Sequence, residues 1–371
     1  MDLKEEIDQR RREIHTEGYP MSVGEMLNVY RDGDLDIHPE FQRFFRWSDA
    51  QKSRFIESLL LGIPIPSVFV HQRQDGVWDV IDGLQRLSTI FEFVGVLKDE
   101  DGSSKPPSVL EATEYLPSLA GLRWEADASH NGLSPEHQRL IKRAAIDIKI
   151  VNRESDEDAK FDLFQRLNTG GSQLSDQEVR NCLLIMENPE FYRWLTTLQA
   201  TSAFQNTVAV SDRAKDERYD AELVIRFLSL KDSTTEQLRG VGDMKDFLDR
   251  RSRGFARDES YDRDAETHSF EQTFTLLDEA LSDQAFRRYD AASGRTRGGF
   301  SVSAFEAITI GVNTHLDEWL AMNADARNDE LVKRSRQLWS DAEFRNNSGS
   351  GIRASGRIPK TIPRGKELFK P

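Results

Sequence analysis

A β-rich run, Trp78 to Ile81, stops at Asp82-Gly83, and a helical pattern starts at once with Leu84, Gln85, Arg86, Leu87 and Ile90. Strand, tight turn and helix must therefore meet within a few residues. Such a junction aims the first helical N–H groups and the Arg86 guanidinium at one point. Those N–H groups lack partners inside the helix and sit at the positive end of its dipole, so the point suits an anion. Gly83 lets a ligand approach the backbone, and Arg86 can fork onto phosphate oxygens. The segment reads in two ways. One is a nucleotide or nucleic-acid phosphate site; the other is an ordinary strand–turn–helix with an exposed arginine.

A chain of 371 residues has room for two domains and a sizeable core. Ser22 and Glu25 form a capping-box pattern opening a helix to about Tyr30, and Ser48 and Gln51 form another ahead of the apolar stripe Phe55, Ile56, Leu59 and Leu60. Leu35 to His38, Val68 to His71, Val77 to Ile81 and Ala145 to Val151 read as strands, with Asp75-Gly76 as a hairpin turn. Beyond Ser155 the period becomes helical. Helices are expected at 158–167, from a cap at Ser175 to Glu178, and then around 191–198, 220–230, 234–250, 270–281, 303–322 and 329–344. The reading is α+β: a mixed α/β domain over 1–187, a helical domain over 188–345 after a glycine loop at 169–173, and a basic tail over 346–371.

Net charge is −14, which disfavours a general grip on duplex DNA. Positive charge gathers in the tail, where Arg353, Arg357, Lys360, Arg364, Lys366 and Lys370 face only Glu367. The tail reads either as a local contact to nucleic acid or an acidic partner, or as a solvated terminus. Cys182 cannot form an internal disulfide, no apolar run is long enough to span a bilayer, and the charged start is unlike a signal peptide. A cytoplasmic protein with no membrane partner is expected. Cys182 lies among Val179, Leu183 and Leu184 at helical spacing and reads as a buried small hydrophobe.

Four motifs follow one another: Phe41 to Trp47 with Gln42, Arg43 and Arg46; Phe55 to Pro66; Asp82-Gly83-Leu84-Gln85-Arg86; and Phe164 to Gly171, followed by Leu174 to Asn181. Their order and spacing, over about Val23 to Leu184, resemble the GmrSD-type restriction endonuclease N-terminal domain family of the ParB/sulfiredoxin superfamily. The family's turn reads Asp-Gly-Gln-Gln-Arg; Leu84 replaces the first glutamine here. The resemblance implies a ParB/sulfiredoxin-like domain that binds a nucleoside triphosphate, with Mg²⁺, through the turn–helix segment. It implies NTP hydrolysis in a bacterial anti-phage restriction system acting on DNA, and DNA nicking in some members. Full-length members carry an HNH nuclease. The seven histidines here are scattered, and His130-Asn131 has no suitably spaced partner. Cleavage would then fall to a separate nuclease subunit, an oligomer being compatible with this, or the protein would not cleave at all.

On this reading Asp82, Gln85 and Arg86 are the catalytic candidates. Gly83, Arg86, Gln42, Arg43, Arg46, Asn168, Thr169, Gly170, Gly171, Arg180 and Asn181 would line the nucleotide site. Asp82 has three open roles: holding Mg²⁺, orienting water or fixing the turn. Trp47 and Phe44 read as base-stacking or core residues, and Glu57 as a surface acid or as an acid–base group reaching the cleft. The loop at 168–171 reads as a ligand-closing loop or a helix C-cap. Three functions compete: a nucleotide-hydrolysing component, a non-catalytic nucleotide or DNA sensor that regulates a separate nuclease, and a stand-alone DNA nickase.

Overall fold

The structure is a computed structural model that describes residues 2, 16–37, 47–99, 102–151, 175–349 and 351–371. It divides into two compact units, Met1–Gln173 and Leu174–Pro371. The sequence alone places the first boundary at 187; the structure instead assigns the helix Asp176–Glu187 to the second unit. Among the described residues, no helix is long and apolar enough to cross a membrane. The fold is mixed α+β with a helical C-terminal region.

The first unit holds a five-stranded sheet in the order β1-β7-β3-β4-β2. Its strands are β1 (Thr16–Ser22), β2 (Leu35–Asp36), β3 (Val68–Gln72), β4 (Trp78–Asp82) and β7 (Ala145–Val151). Two short strands, β5 (Leu122–Arg123) and β6 (Asn131–Gly132), pair separately. β1 runs antiparallel to β7, β3 runs parallel to β7, and β4 returns antiparallel to β3. Among the described residues, four α-helices accompany the sheet: α1 (Val23–Asp32), α2 (Asp49–Leu61), α3 (Leu84–Val94) and α4 (Pro135–Arg143). Ser22 caps α1, and Ser48 with Gln51 forms a complete capping box on α2. Glycines in the left-handed conformation close α1, α2 and α3. Ile56, Val68, Val70, Val80, Leu87, Phe91, Ile146 and Ile148 are all buried in one apolar cluster between sheet and helices. That cluster fixes the end of β4 against the start of α3.

Among its described residues, the second unit is helical apart from one hairpin, Arg287–Asp290 with Arg295–Phe300. The expected helix over 234–250 is two helices, Thr235–Arg239 and Met244–Arg257, because Gly240 and Gly242 break the run and Asp243 caps the restart. His315 likewise separates Val302–Thr314 from Leu316–Leu320. The largest departure is at the C-terminus. Residues 346–371 are not a tail: Ala354–Leu368 is a helix despite Pro359 and Pro363, and it packs along Val302–Thr314. Ile358, Ile362, Leu368 and Phe369 are buried there. Two of the supposedly free cations are spent internally. Arg357 is 8% exposed and pairs with buried Glu306, while Arg364 pairs with Asp341 and Glu367.

Candidate functional site

The β4–α3 junction forms as the sequence predicts, strand to Asp82, glycine, helix from Leu84. Gly83 is left-handed, with φ 102° and ψ 9°. Its role differs from the expected one. A Cβ at this position would lie 2.7 Å from Cγ2 of Val68 on the neighbouring strand. Backbone conformation and the approach of Val68 require the glycine, without any ligand. Gly83→Ala is therefore expected to cost about 1–3 kcal/mol through strain at positive φ and crowding. Urea unfolding measures this, and adding Val68→Ala should restore part of the loss, since it removes the clash but not the strain. Full additivity of the two changes would show that Val68 does not press on this turn.

No side chain caps α3, and no acid lies in its first turn. The first backbone bond inside the helix is from the Leu87 N–H to the Gly83 carbonyl. The N–H groups of the first turn have no partner inside the helix, and no acid lies in that turn to offset the dipole. Arg86 stands at this mouth. Its Nη1 donates to the Pro66 carbonyl at 2.6 Å, and its Nη2 to Asp82 Oδ2 at 2.5 Å. Its side chain is 11% exposed, whereas that of Asp82 is 36% exposed. The guanidinium is thus held in one orientation by an acid one helical turn back and by the chain entering β3. The contact that the geometry displays for Asp82 is with Arg86, apart from the three roles read from the sequence.

Gln85 does something the sequence does not suggest. Its Oε1 accepts from the Trp47 backbone N–H at 3.3 Å, tying the approach to α2 onto α3. Trp47 meets Phe55 edge-on at 5.4 Å, a core contact. Glu57 is neither a surface acid nor a cleft acid. It is 5% exposed, and its Oε1 accepts from the Thr113 hydroxyl and from the N–H groups of Tyr115 and Leu116 at 3.0 and 2.9 Å. It organises a loop.

A polar cluster on the first unit's sheet escapes sequence reading. His71 and Asp79 face each other across β3 and β4, both nearly buried, with Nδ1 to Oδ2 at 3.9 Å. Arg73 reaches Asp79 and Asp36, each at 3.4 Å. The available signal was Asp79 itself, a carboxylate between Trp78 and Val80; its partners depend on hairpin register.

The other motif residues divide into two groups. Gln42, Arg43, Arg46 and Phe44, and Asn168, Thr169, Gly170 and Gly171, lie outside the described residues, as does the expected helix over 158–167. Arg180 and Asn181 lie on the helix Asp176–Glu187 in the second unit, opened by a complete Ser175–Glu178 capping box. Arg180 is 1% exposed, and its Nε donates to Asp249 at 2.7 Å. Asn181 is 3% exposed and accepts from Gln177 at 2.7 Å. Both are held by the packing of that unit. Cys182 is buried beside them, and burial, reinforced by Glu178, pushes its thiol pKa far upward, consistent with a space-filling role.

Residues 23–185 match the protein family described as GmrSD restriction endonuclease, N-terminal domain. The matched stretch contains the whole β4–α3 junction and extends into the helix that carries Arg180 and Asn181. No curated protein and no solved structure matches the chain.

Proposed function

We propose, taking residues 23–185 as a GmrSD-type N-terminal domain, that the first unit binds a nucleoside triphosphate at the Asp82–Arg86 junction and serves a restriction system acting on DNA. The ParB/sulfiredoxin-like fold assignment belongs to the same proposal. The supporting observation is the uncapped mouth of α3 beside an arginine whose orientation is already fixed. A phosphate there would meet the positive end of the helix and the Arg86 guanidinium. These residues fit an anion. Among the described residues no cluster of three or more His, Cys, Asp or Glu side chains is arranged for a metal ion. Mg²⁺ typically takes one or two carboxylates and completes its shell with phosphate oxygens and water, so Asp82 would suffice only with nucleotide bound. When bound, Mg²⁺ would neutralise phosphate charge. Asp82 would hold the ion, and Arg86, anchored at the Pro66 carbonyl, would supply positive charge toward phosphate. Gln85 would keep the approach to α2 in place. DNA cleavage would belong to a separate nuclease subunit.

The test is calorimetric titration with ATP and GTP in the presence of Mg²⁺. Arg86→Ala is expected to weaken binding roughly 10²-fold, the scale of a lost charge-assisted phosphate contact. Its melting curve must be recorded alongside, because Arg86 also braces the Pro66 carbonyl. Arg86→Lys keeps the charge but not the fork, and should lie between the two. Wild-type affinity in a folded Arg86→Ala protein would refute the site. Turnover of labelled nucleotide, with and without DNA, separates a hydrolase from a sensor that only binds.

A further inference from the structure

We propose that the hairpin Arg287–Asp290/Arg295–Phe300 is a contact surface for duplex DNA; the choice of DNA rests on the restriction reading above. The register places Arg288 directly opposite Arg297 and Asp290 opposite Arg295. Alternate residues of a strand share a face, so Arg288, Arg295 and Arg297 form one arginine face. All three are exposed. Like charges directly opposite across a ladder are destabilising, so this pairing is not there for stability.

The single acid on that face is already committed. Asp290 accepts from the Ala292 N–H at 3.1 Å and from the Ser293 hydroxyl at 2.8 Å, closing the turn, and meets Arg297 Nε at 3.3 Å. Those turn hydrogen bonds, led by that of Ser293, lower its pKa and keep it ionised. Arg297 stays 65% exposed all the same. The side chains of Arg288 and Arg295 make no hydrogen bond or ion pair with the described residues. The opposite face of the hairpin is anchored to its own unit. Arg336 lies over the Tyr289 ring at 5.1 Å, Thr296 donates to Gln284, and Phe300 packs on Phe286 and Phe305. The ribbon is therefore held from behind, with its guanidiniums turned outward.

Shape and charge fit a duplex. A two-stranded ribbon enters a major groove about 12 Å wide, and guanidiniums fork onto phosphates and guanine edges. Gly299 is not required by packing, since a Cβ there would meet nothing within 4 Å. Leaving it bare lets the ribbon backbone come close to a phosphate. On a chain of net charge −14 this face is a local attraction, so binding should be salt-sensitive and confined to few phosphates.

The experiment is fluorescence anisotropy with a labelled DNA duplex over a series of KCl concentrations, using the full chain. The variant carries Arg288→Ala, Arg295→Ala and Arg297→Ala; a control carries Arg139→Ala, Arg143→Ala and Arg213→Ala, equal in charge lost and exposed elsewhere. The hairpin variant should bind roughly 10- to 100-fold more weakly, with its salt slope flatter by about 2–3, while the control stays near wild type. Its melting temperature should be unchanged or higher, because the Arg288–Arg297 repulsion is gone. Wild-type binding that survives in the hairpin variant overturns this proposal alone. Equal losses in both variants also overturn it, showing unspecific charge. Absence of binding by the intact protein overturns the DNA reading and the proposal together. A change of oligomeric state in the hairpin variant, with DNA binding intact, would assign the face to a second copy of the chain and overturn it too.

Discussion

Glu306→Ala is expected to destabilise the helical unit by about 3–5 kcal/mol, the range for breaking a buried ion pair by removing one partner. Glu306 has no exposed surface, and two guanidiniums share its carboxylate. Arg226 donates through Nη1 at 2.6 Å, and Arg357 through Nε and Nη2, both at 3.0 Å. Burial alone would lower the Arg226 pKa; Glu306 and Glu222 reverse this and raise it, so the arginine stays charged. Removing Glu306 leaves that charge enclosed with Glu222 as its remaining acidic partner, and leaves Arg357, 8% exposed, without the carboxylate it pairs with. Hydrogen exchange along Val302–Thr314, read with guanidinium unfolding, reports the loss in this unit specifically. The combined change Arg226→Met, Glu306→Leu, Arg357→Met should be far milder, since no charge is then stranded. A single variant losing under about 1 kcal/mol would show that the network does not hold the C-terminal helix.

The second large effect is expected where that helix crosses Val302–Thr314. A Cβ on Gly365 would lie 2.9 Å from the Ala307 carbonyl carbon and nearer still to its oxygen. A Cβ on Gly311 would lie 2.6 Å from the Gly365 oxygen. The obstacles are backbone atoms of packed helices, which cannot swing aside as a side chain can. Gly365→Ala should therefore cost about 3 kcal/mol or more, at or above the upper end of ordinary overpacking. Gly356→Ala, in the same helix, meets nothing within 4 Å and should be neutral or stabilising by up to about 1 kcal/mol. Opposite signs for one substitution at two sites on one helix, measured by thermal unfolding, would identify the crossing as the cause. Equal effects would remove the close approach from the account.

The local part of the candidate site was legible. Asp82-Gly83 ends a strand and starts a helix because turn conformation and helix initiation depend on residues within three or four positions of one another. The same holds for the caps at Ser22, Ser48 and Ser175, all of which form. Arg86 was legible as a first-turn arginine; its bond to Asp82, the last residue of β4, was not. Its bond to Pro66, and the demand that Val68 places on Gly83, come from the neighbouring strand and could not be counted from spacing.

The C-terminal helix shows the same divide. Six cations against one acid over 346–371 read as a basic tail, either a local contact to nucleic acid or an acidic partner or a solvated terminus. Tertiary contact instead makes the segment a packed helix. Burial of Ile358, Ile362, Leu368 and Phe369 offsets the missing N–H groups of Pro359 and Pro363, and Glu306 and Asp341, remote in sequence, take up Arg357 and Arg364. The sequence by itself determined β2, β3, β4 and β7 and the caps and turns beside them, because their signals lie in adjacent residues, while β1 was not read from it. Only the tertiary structure decided which arginines are spent inside and which remain outside, because a charge is neutralised by whatever the fold brings within about 4 Å, at any distance along the chain.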